Sequence, residues 1–146
     1  MSKLSEEDKL KIGIAKDELK KYRDNRMYLQ EKKNDLEELE NMVTSTTAKW
    51  SKTKTTNSGF SSDKFSSYME RAEAIYEETS KRLEELLVNK FLIDDKIDKM
   101  SYPYRDVLFL RYSRCYSWRD VAQKVGYSEQ DIYTKHGQAL LIYANL

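Results

Sequence analysis

The sequence predicts an all-α protein, in which a long, coiled-coil-like helical hairpin is followed by a C-terminal helix-turn-helix. The 146 residues are 35% charged and 39% hydrophobic, with a mean hydropathy of −0.84. This balance suits long helices that each bury one narrow stripe. Only four glycines and one proline occur, too few for a turn-rich sandwich or barrel. Apolar residues recur at helical spacing along most of the chain.

The first helix is predicted to begin at Ser5, which forms with Asp8 the pattern of a capping box. One heptad position after it is apolar throughout, at Ala15, Tyr22, Leu29, Leu36 and Val43. The companion position becomes charged halfway, reading Ile12, Leu19, Arg26, Lys33 and Glu40. Because the stripe narrows from two positions to one, we expect tighter packing near the N-terminus of this helix.

A second long helix is predicted over residues 65–100, which contain no glycine or proline. Nine of eleven positions at alternating three- and four-residue spacing are apolar in the series Phe65, Met69, Ala72, Tyr76, Thr79, Leu83, Leu86, Lys90, Ile93, Ile97 and Met100. Neither helix can bury its stripe alone. We therefore expect an antiparallel hairpin or an intermolecular bundle, and a homo-oligomer as the assembly.

Residues 44–64 connect the two helices within a predicted hairpin domain of residues 1–100. Ser, Thr, Asn and Gly dominate this segment, so it is predicted to be a loop. Its charged residues are Lys49, Lys52, Lys54, Asp63 and Lys64. Two interpretations stay open: a solvated connector, or a basic flap whose first three lysines contact phosphates.

A second domain is predicted over residues 101–146, where the composition changes. Residues 1–100 carry 20 Lys/Arg against 21 Asp/Glu, a net charge of −1, whereas residues 101–146 carry six against four, a net charge of +2. Seven of the 11 tyrosines also lie in this last part.

Three residues in this domain have the spacing of a helix-turn-helix. Ala122 is the small residue needed where two helices cross closely, and Gly126, four positions later, suits a turn with positive φ. Ile132, six positions further on, is an aliphatic residue that can pack against the first helix. Ser117 and Ser128 each open an S-x-x-D pattern that caps a helix. An unrelated helical hairpin is the alternative.

If the last helix reads DNA, the face opposite Ile132 enters the major groove. The candidates for base contacts are Glu129, Gln130, Tyr133, Thr134 and Gln138. Gln can pair twofold with adenine, Thr can touch a thymine methyl group and Glu can accept from cytosine. The candidates for phosphate contacts are Arg114, Arg119, Lys124 and Lys135, with Lys49, Lys52 and Lys54 of the loop. The competing interpretation is an ordinary solvated surface.

The C-terminal motifs resemble region 4 of sigma-70-type factors. The similar stretches are residues 107–112, 117–122, 125–128 and 139–140. The whole chain resembles the small phage late-transcription activators of the RinA/ArpU type, through residues 93–143 and through the helical character of residues 1–92. This resemblance implies a sequence-specific activator that binds double-stranded DNA and works with host RNA polymerase or its sigma factor in the bacterial cytoplasm.

Composition weighs against catalysis and against a membrane span. One histidine and one cysteine leave almost nothing for a metal site or a nucleophile–base pair, so we expect no enzyme, no metal and no cofactor. The single Cys115 fits a reducing compartment, and no apolar run approaches the roughly 20 residues that cross a bilayer. Two rival functions stay open: a small terminase-like DNA-packaging component, and a protein that binds a sigma factor or polymerase without binding DNA.

Overall fold

The computed structural model describes residues 3–52 and 62–146, with side chains described over 3–44 and 63–146. Within these ranges the chain is all-α and contains no strand. Its helices are α1 (Glu6–Lys52), α2 (Ser62–Asp98), α3 (Tyr104–Leu108), α4 (Trp118–Val125) and α5 (Glu129–Ala144). A single π-helical turn, Phe109–Ser113, continues α3. The predicted fold class, a long helix pair followed by short C-terminal helices, is confirmed.

The predicted loop over residues 44–64 is wrong at both ends. Helix α1 begins at its predicted cap, where the Ser5 hydroxyl accepts a hydrogen bond from the Asp8 amide at 3.1 Å, and it continues to Lys52. Helix α2 begins at Ser62. Ser and Thr lower helix propensity by only a fraction of a kcal/mol each, about 0.5, so a run of them does not end a long helix. The predicted phosphate contacts of the loop, Lys49, Lys52 and Lys54, lie outside the described side chains.

The chain divides into two compact units, and both long helices contribute residues to each. The first unit comprises Met1–Met27 and Glu85–Leu146, and the second comprises Tyr28–Glu84. The first unit therefore combines the beginning of α1 and the end of α2 with all of the C-terminal helices. The domain boundary proposed at residue 101 falls inside this unit.

The core of the first unit draws on each of its helices. Residues that are 0% exposed include Leu19 of α1, Ile93 of α2, Val107 of α3, Val121 of α4 and Ile132 of α5. Full burial of such a side chain is worth roughly 1.5–3 kcal/mol. The C-terminal helices therefore share a hydrophobic core with the beginning of α1 and the end of α2.

The second unit is packed more loosely. Over residues 28–44 and 63–84 no side chain reaches the degree of burial seen in that core. The apolar heptad residues of α1 here, such as Leu36, are half-buried, while Met69 and Tyr76 of α2 are 44% and 55% exposed. An apolar cleft of about 250 Å³ lies between the helices, lined by Leu36, Val43 and Met69 among others. This difference agrees with the predicted narrowing of the stripe along α1.

Candidate nucleic-acid interface

Helix α4 begins and ends as its sequence predicts. The Ser117 hydroxyl accepts a hydrogen bond from the Asp120 amide at 3.2 Å and so caps the helix. The helix ends at Gly126, whose φ of 87° is the left-handed conformation that glycine adopts at little cost. The amides of Gly126 and Tyr127 both donate to the carbonyl of Ala122, at 2.9 and 3.0 Å. The chain thereby turns within a few residues toward the next helix.

Helix α5 begins at a second serine cap and packs against α4 along one side. The Ser128 hydroxyl accepts from the Asp131 amide at 3.1 Å. Ile132, which is fully buried, packs in a cluster with Val107, Val121, Ala122 and Val125. The other buried residues of α5 continue this side of the helix: His136, Ala139, Leu140 and Tyr143. The predicted spacing of Ala122, Gly126 and Ile132 therefore corresponds to a tightly packed helix-turn-helix.

The side of α5 away from this core is polar and accessible. The five residues predicted to contact bases are all exposed: Glu129, Gln130, Tyr133, Thr134 and Gln138. The Tyr133 ring also contacts Trp118, with the ring centroids 5.3 Å apart. The Oε1 atom of Gln138 accepts a hydrogen bond from the Tyr104 hydroxyl at 3.3 Å. The other three exposed residues of this face, Glu129, Gln130 and Thr134, lie in the first two turns of the helix.

The four predicted phosphate contacts of the C-terminal domain surround this motif. Arg114, Arg119 and Lys124 are exposed, whereas Lys135 is half-buried. Three of the four cations lie over aromatic rings. The Arg114 guanidinium is 5.3 Å from the Phe109 centroid and the Lys124 ammonium 5.1 Å from that of Tyr116. The Lys135 ammonium lies 5.6 and 5.5 Å from the rings of Tyr104 and Tyr127. Such cation–π contacts restrict where these charges can lie.

An aromatic cluster under α5 fixes the helix from its buried side. The His136 ring lies edge-on to Trp118 at 4.5 Å, and its Nε2 atom is 2.7 Å from the Tyr112 hydroxyl. The Arg111 guanidinium lies 4.6 Å from the centroid of the Trp118 ring. Burial, together with the positive charges of Lys16 and Arg111, lowers the pKa of His136 to about 4. The imidazole is therefore neutral at physiological pH and serves as a hydrogen-bonding partner inside the core.

Sequence reasoning missed a contact that joins α1 to the turn before α4. The Nε atom of Arg23 donates to the carbonyl of Arg111 at 3.2 Å, and its Nη2 atom donates a longer bond, 3.5 Å, to the carbonyl of Cys115. Cys115 has a φ of 61°, unusual for a residue other than glycine. The partners are 88 and 92 positions apart in the chain, so no local pattern marks Arg23 as their donor.

Within the described ranges, the His, Cys, Asp and Glu side chains form no group of three that could hold a metal ion. No helix in the same ranges combines the length and the apolar character needed to cross a membrane. Comparison of the chain with family models, with curated proteins and with solved structures found no match.

Proposed function

We propose that this protein is a non-enzymatic transcription regulator of the phage-activator type, which binds double-stranded DNA through α4 and α5. The observation that carries the proposal is the exposed polar row on the second helix of a capped helix-turn-helix. Gln130 and Thr134 lie one turn apart on that row, whereas Ile132 and His136 occupy the buried side of the same helix. A helix that is tightly packed on one side and polar on the other can enter a major groove without loss of its core contacts.

The spacing of the row suits base pairs that are two steps apart. Residues four positions apart are separated by about 6 Å along a helix, which is roughly two base-pair steps. In this proposal the Gln130 amide pairs twofold with an adenine, and the Thr134 methyl group contacts a thymine. The two side chains are uncharged, so they add sequence preference with little attraction for phosphates.

The exposed cations of α4 supply the attraction for phosphates. Arg119 lies in the first turn of α4 and Lys124 in its last turn, so the two ends of this helix can each reach a phosphate as α4 crosses the DNA backbone. Such contacts set the position of α5 in the groove and make binding weaker as salt increases.

The recruitment of host RNA polymerase or its sigma factor, in the bacterial cytoplasm, is the part of the proposal that rests on resemblance to sigma region 4. The homo-oligomer expected from the heptads likewise stays a prediction. A specific observation favours a second candidate, a polymerase-binding or sigma-binding protein that does not bind DNA. The exposed carboxylates of Glu129 and Asp131, in the first turn of α5, would repel phosphates near the reading row.

Duplexes enriched from a random pool by the wild-type protein provide the test. Gln130→Ala and Thr134→Ala should each weaken binding to an enriched duplex by about 1–3 kcal/mol and leave binding to random duplex unchanged. Arg119→Ala should weaken both alike, because a phosphate contact carries no sequence information. Gln30→Ala, an exposed glutamine of α1 in the second unit, is the matched control and should bind as the wild type does.

The opposite result is equally clear. If the wild-type protein enriches no duplex but binds purified RNA polymerase holoenzyme, the DNA-reading proposal is wrong. The second candidate then takes its place.

A further inference from the structure

A glycine lies in the middle of α5, on the exposed side. Gly137 is the ninth of the 16 residues of this helix and is solvent-exposed. Apart from proline, glycine is the least favourable residue for a helix interior. Alanine at this position would therefore be expected to stabilise the helix.

The fold itself does not require glycine at this position. A Cβ atom on Gly137 would meet nothing within 4 Å, and the backbone there is helical. Gly126 is different, because its φ of 87° disfavours any other residue. Neither packing nor backbone conformation thus requires a glycine at position 137.

Gly137 shares a face with the residues proposed to read bases. It follows Thr134 by three positions and Gln130 by seven, both of which are helical spacings that return to the same side. Tyr133 lies one turn before it and Leu141 one turn after, yet neither side chain comes within 4 Å of the missing Cβ. The result is a shallow notch in the exposed face of α5.

The notch lies about 12 Å along the helix from Glu129, since eight residues each rise 1.5 Å. This length exceeds the depth of the major groove, about 8.5 Å. When the first turn of α5 lies at the base edges and the helix is directed out of the groove, Gly137 therefore lies near the rim, where the sugar–phosphate backbone passes.

We infer that Gly137 is where the DNA backbone passes closest to α5, and that the missing side chain provides the room. The inference rests on the proposed DNA-binding function and adds a specific contact to it. Without a Cβ atom, the helix backbone can come close to a ligand. Because the contact is to the sugar–phosphate backbone, it should affect all DNA sequences alike.

A pair of substitutions at two open glycines tests this assignment. Gly13 of α1 is also helical and exposed, and a Cβ atom there would also meet nothing within 4 Å. We expect Gly137→Ala and Gly13→Ala each to raise the thermal unfolding midpoint by roughly 2–6 °C, because both remove a helix-interior glycine. Gly137→Ala should nevertheless bind DNA several-fold more weakly. Gly137→Leu, a larger side chain that also favours helix, should lose about tenfold or more. Gly13→Ala and Gly13→Leu should bind as the wild type does.

Binding is measured on an enriched duplex and on random-sequence duplex, so that the outcomes separate. Wild-type protein that binds neither duplex overturns the proposed function and this inference with it. Wild-type binding that Gly137→Leu retains in full overturns the inference alone. A loss confined to the enriched duplex overturns the assignment to the DNA backbone, and a lower unfolding midpoint for Gly137→Ala would show that the glycine serves the fold.

Discussion

The two compact units are built on the same two helices, yet among the residues whose side chains are described only those of the first unit enclose a core. In the first unit Leu19, Ile93 and Ile97 are 0–1% exposed. In the second unit the described heptad residues are half-buried or exposed. One heptad position of α1 is apolar through both units, so this position alone does not decide burial. The first unit also contains α3, α4 and α5, which contribute buried residues to its core, whereas in the second unit the companion positions of α1 are the charged Lys33 and Glu40.

The difference suits the proposed function. A helix that reads DNA must hold its side chains in a defined geometry, and a well-packed core under it provides this. The ring cluster of Trp118 and His136 lies on the buried side of α5, opposite the reading row. The second unit has no comparable requirement in this proposal, and its packing is correspondingly looser.

The largest effect expected from this contrast is the loss in free energy of unfolding when a leucine is replaced by alanine. Leu19→Ala in the first unit should lower the free energy of unfolding by about 2–5 kcal/mol, because the side chain is fully buried and its removal leaves a cavity. Leu36→Ala in the second unit, where the leucine lines an open cleft, should cost less than about 1.5 kcal/mol. Urea unfolding followed by circular dichroism measures both. Equal costs would contradict the contrast, and light scattering would then show whether another copy of the chain covers Leu36 in solution.

The sequence predicts the parts of this fold that depend on neighbouring residues. The serine caps at Ser5, Ser117 and Ser128 are local patterns, and each is present in the structure. The turn at Gly126 likewise follows from its conformational freedom. Local composition misled at residues 44–52 and 62–64, where Ser and Thr suggested a loop but the structure has helix.

What the sequence does not predict depends on partners distant in the chain. The contact of Arg23 with the turn before α4 requires the fold to be known, and so does the proximity of Lys16 to His136. For the candidate site the predicted residues are exposed on one helix, but the notch at Gly137 is recognisable only once its surroundings are seen to be empty. Helical periodicity predicts on which face of a helix a residue lies, but it does not predict what packs against that face.

A smaller effect compares two arginines, one in each unit. Arg23→Ala should lower the free energy of unfolding by about 1.5–3 kcal/mol, because two half-buried carbonyls lose a charged donor. Arg82 of the second unit lies over the Tyr28 ring at 3.8 Å but is itself exposed, so Arg82→Ala should cost about 0.5–1 kcal/mol. Chemical unfolding of both variants measures the difference. A larger loss for Arg82→Ala would mean that the second unit depends on its surface contacts more than its burial indicates.

The smallest expected effect is a pH dependence that belongs to the first unit alone. His136 is buried there beside Tyr112 and near the charges of Lys16 and Arg111, and its pKa is lowered to about 4 from the usual value near 6.5. The unfolded chain therefore binds a proton below about pH 6.5 that the folded chain does not. The stabilising contribution is full above that pH and is lost as the pH falls toward 4.

Between about pH 7 and pH 5.5, His136 should lower the free energy of unfolding by about 1 kcal/mol. Most carboxylates keep their charge over this interval, so the change reports mainly on the single histidine of the chain. His136→Gln can keep a hydrogen bond to the Tyr112 hydroxyl but does not titrate, and it should make the unfolding free energy nearly equal at the two pH values. The readout is the difference between pH values, so an overall loss of stability in the variant does not obscure it. A wild-type protein that is equally stable at both pH values would show that water reaches the imidazole. The region under α5 would then be packed as loosely as the second unit, and the contrast between the two units would fail at the place where the proposed reading helix depends on it most.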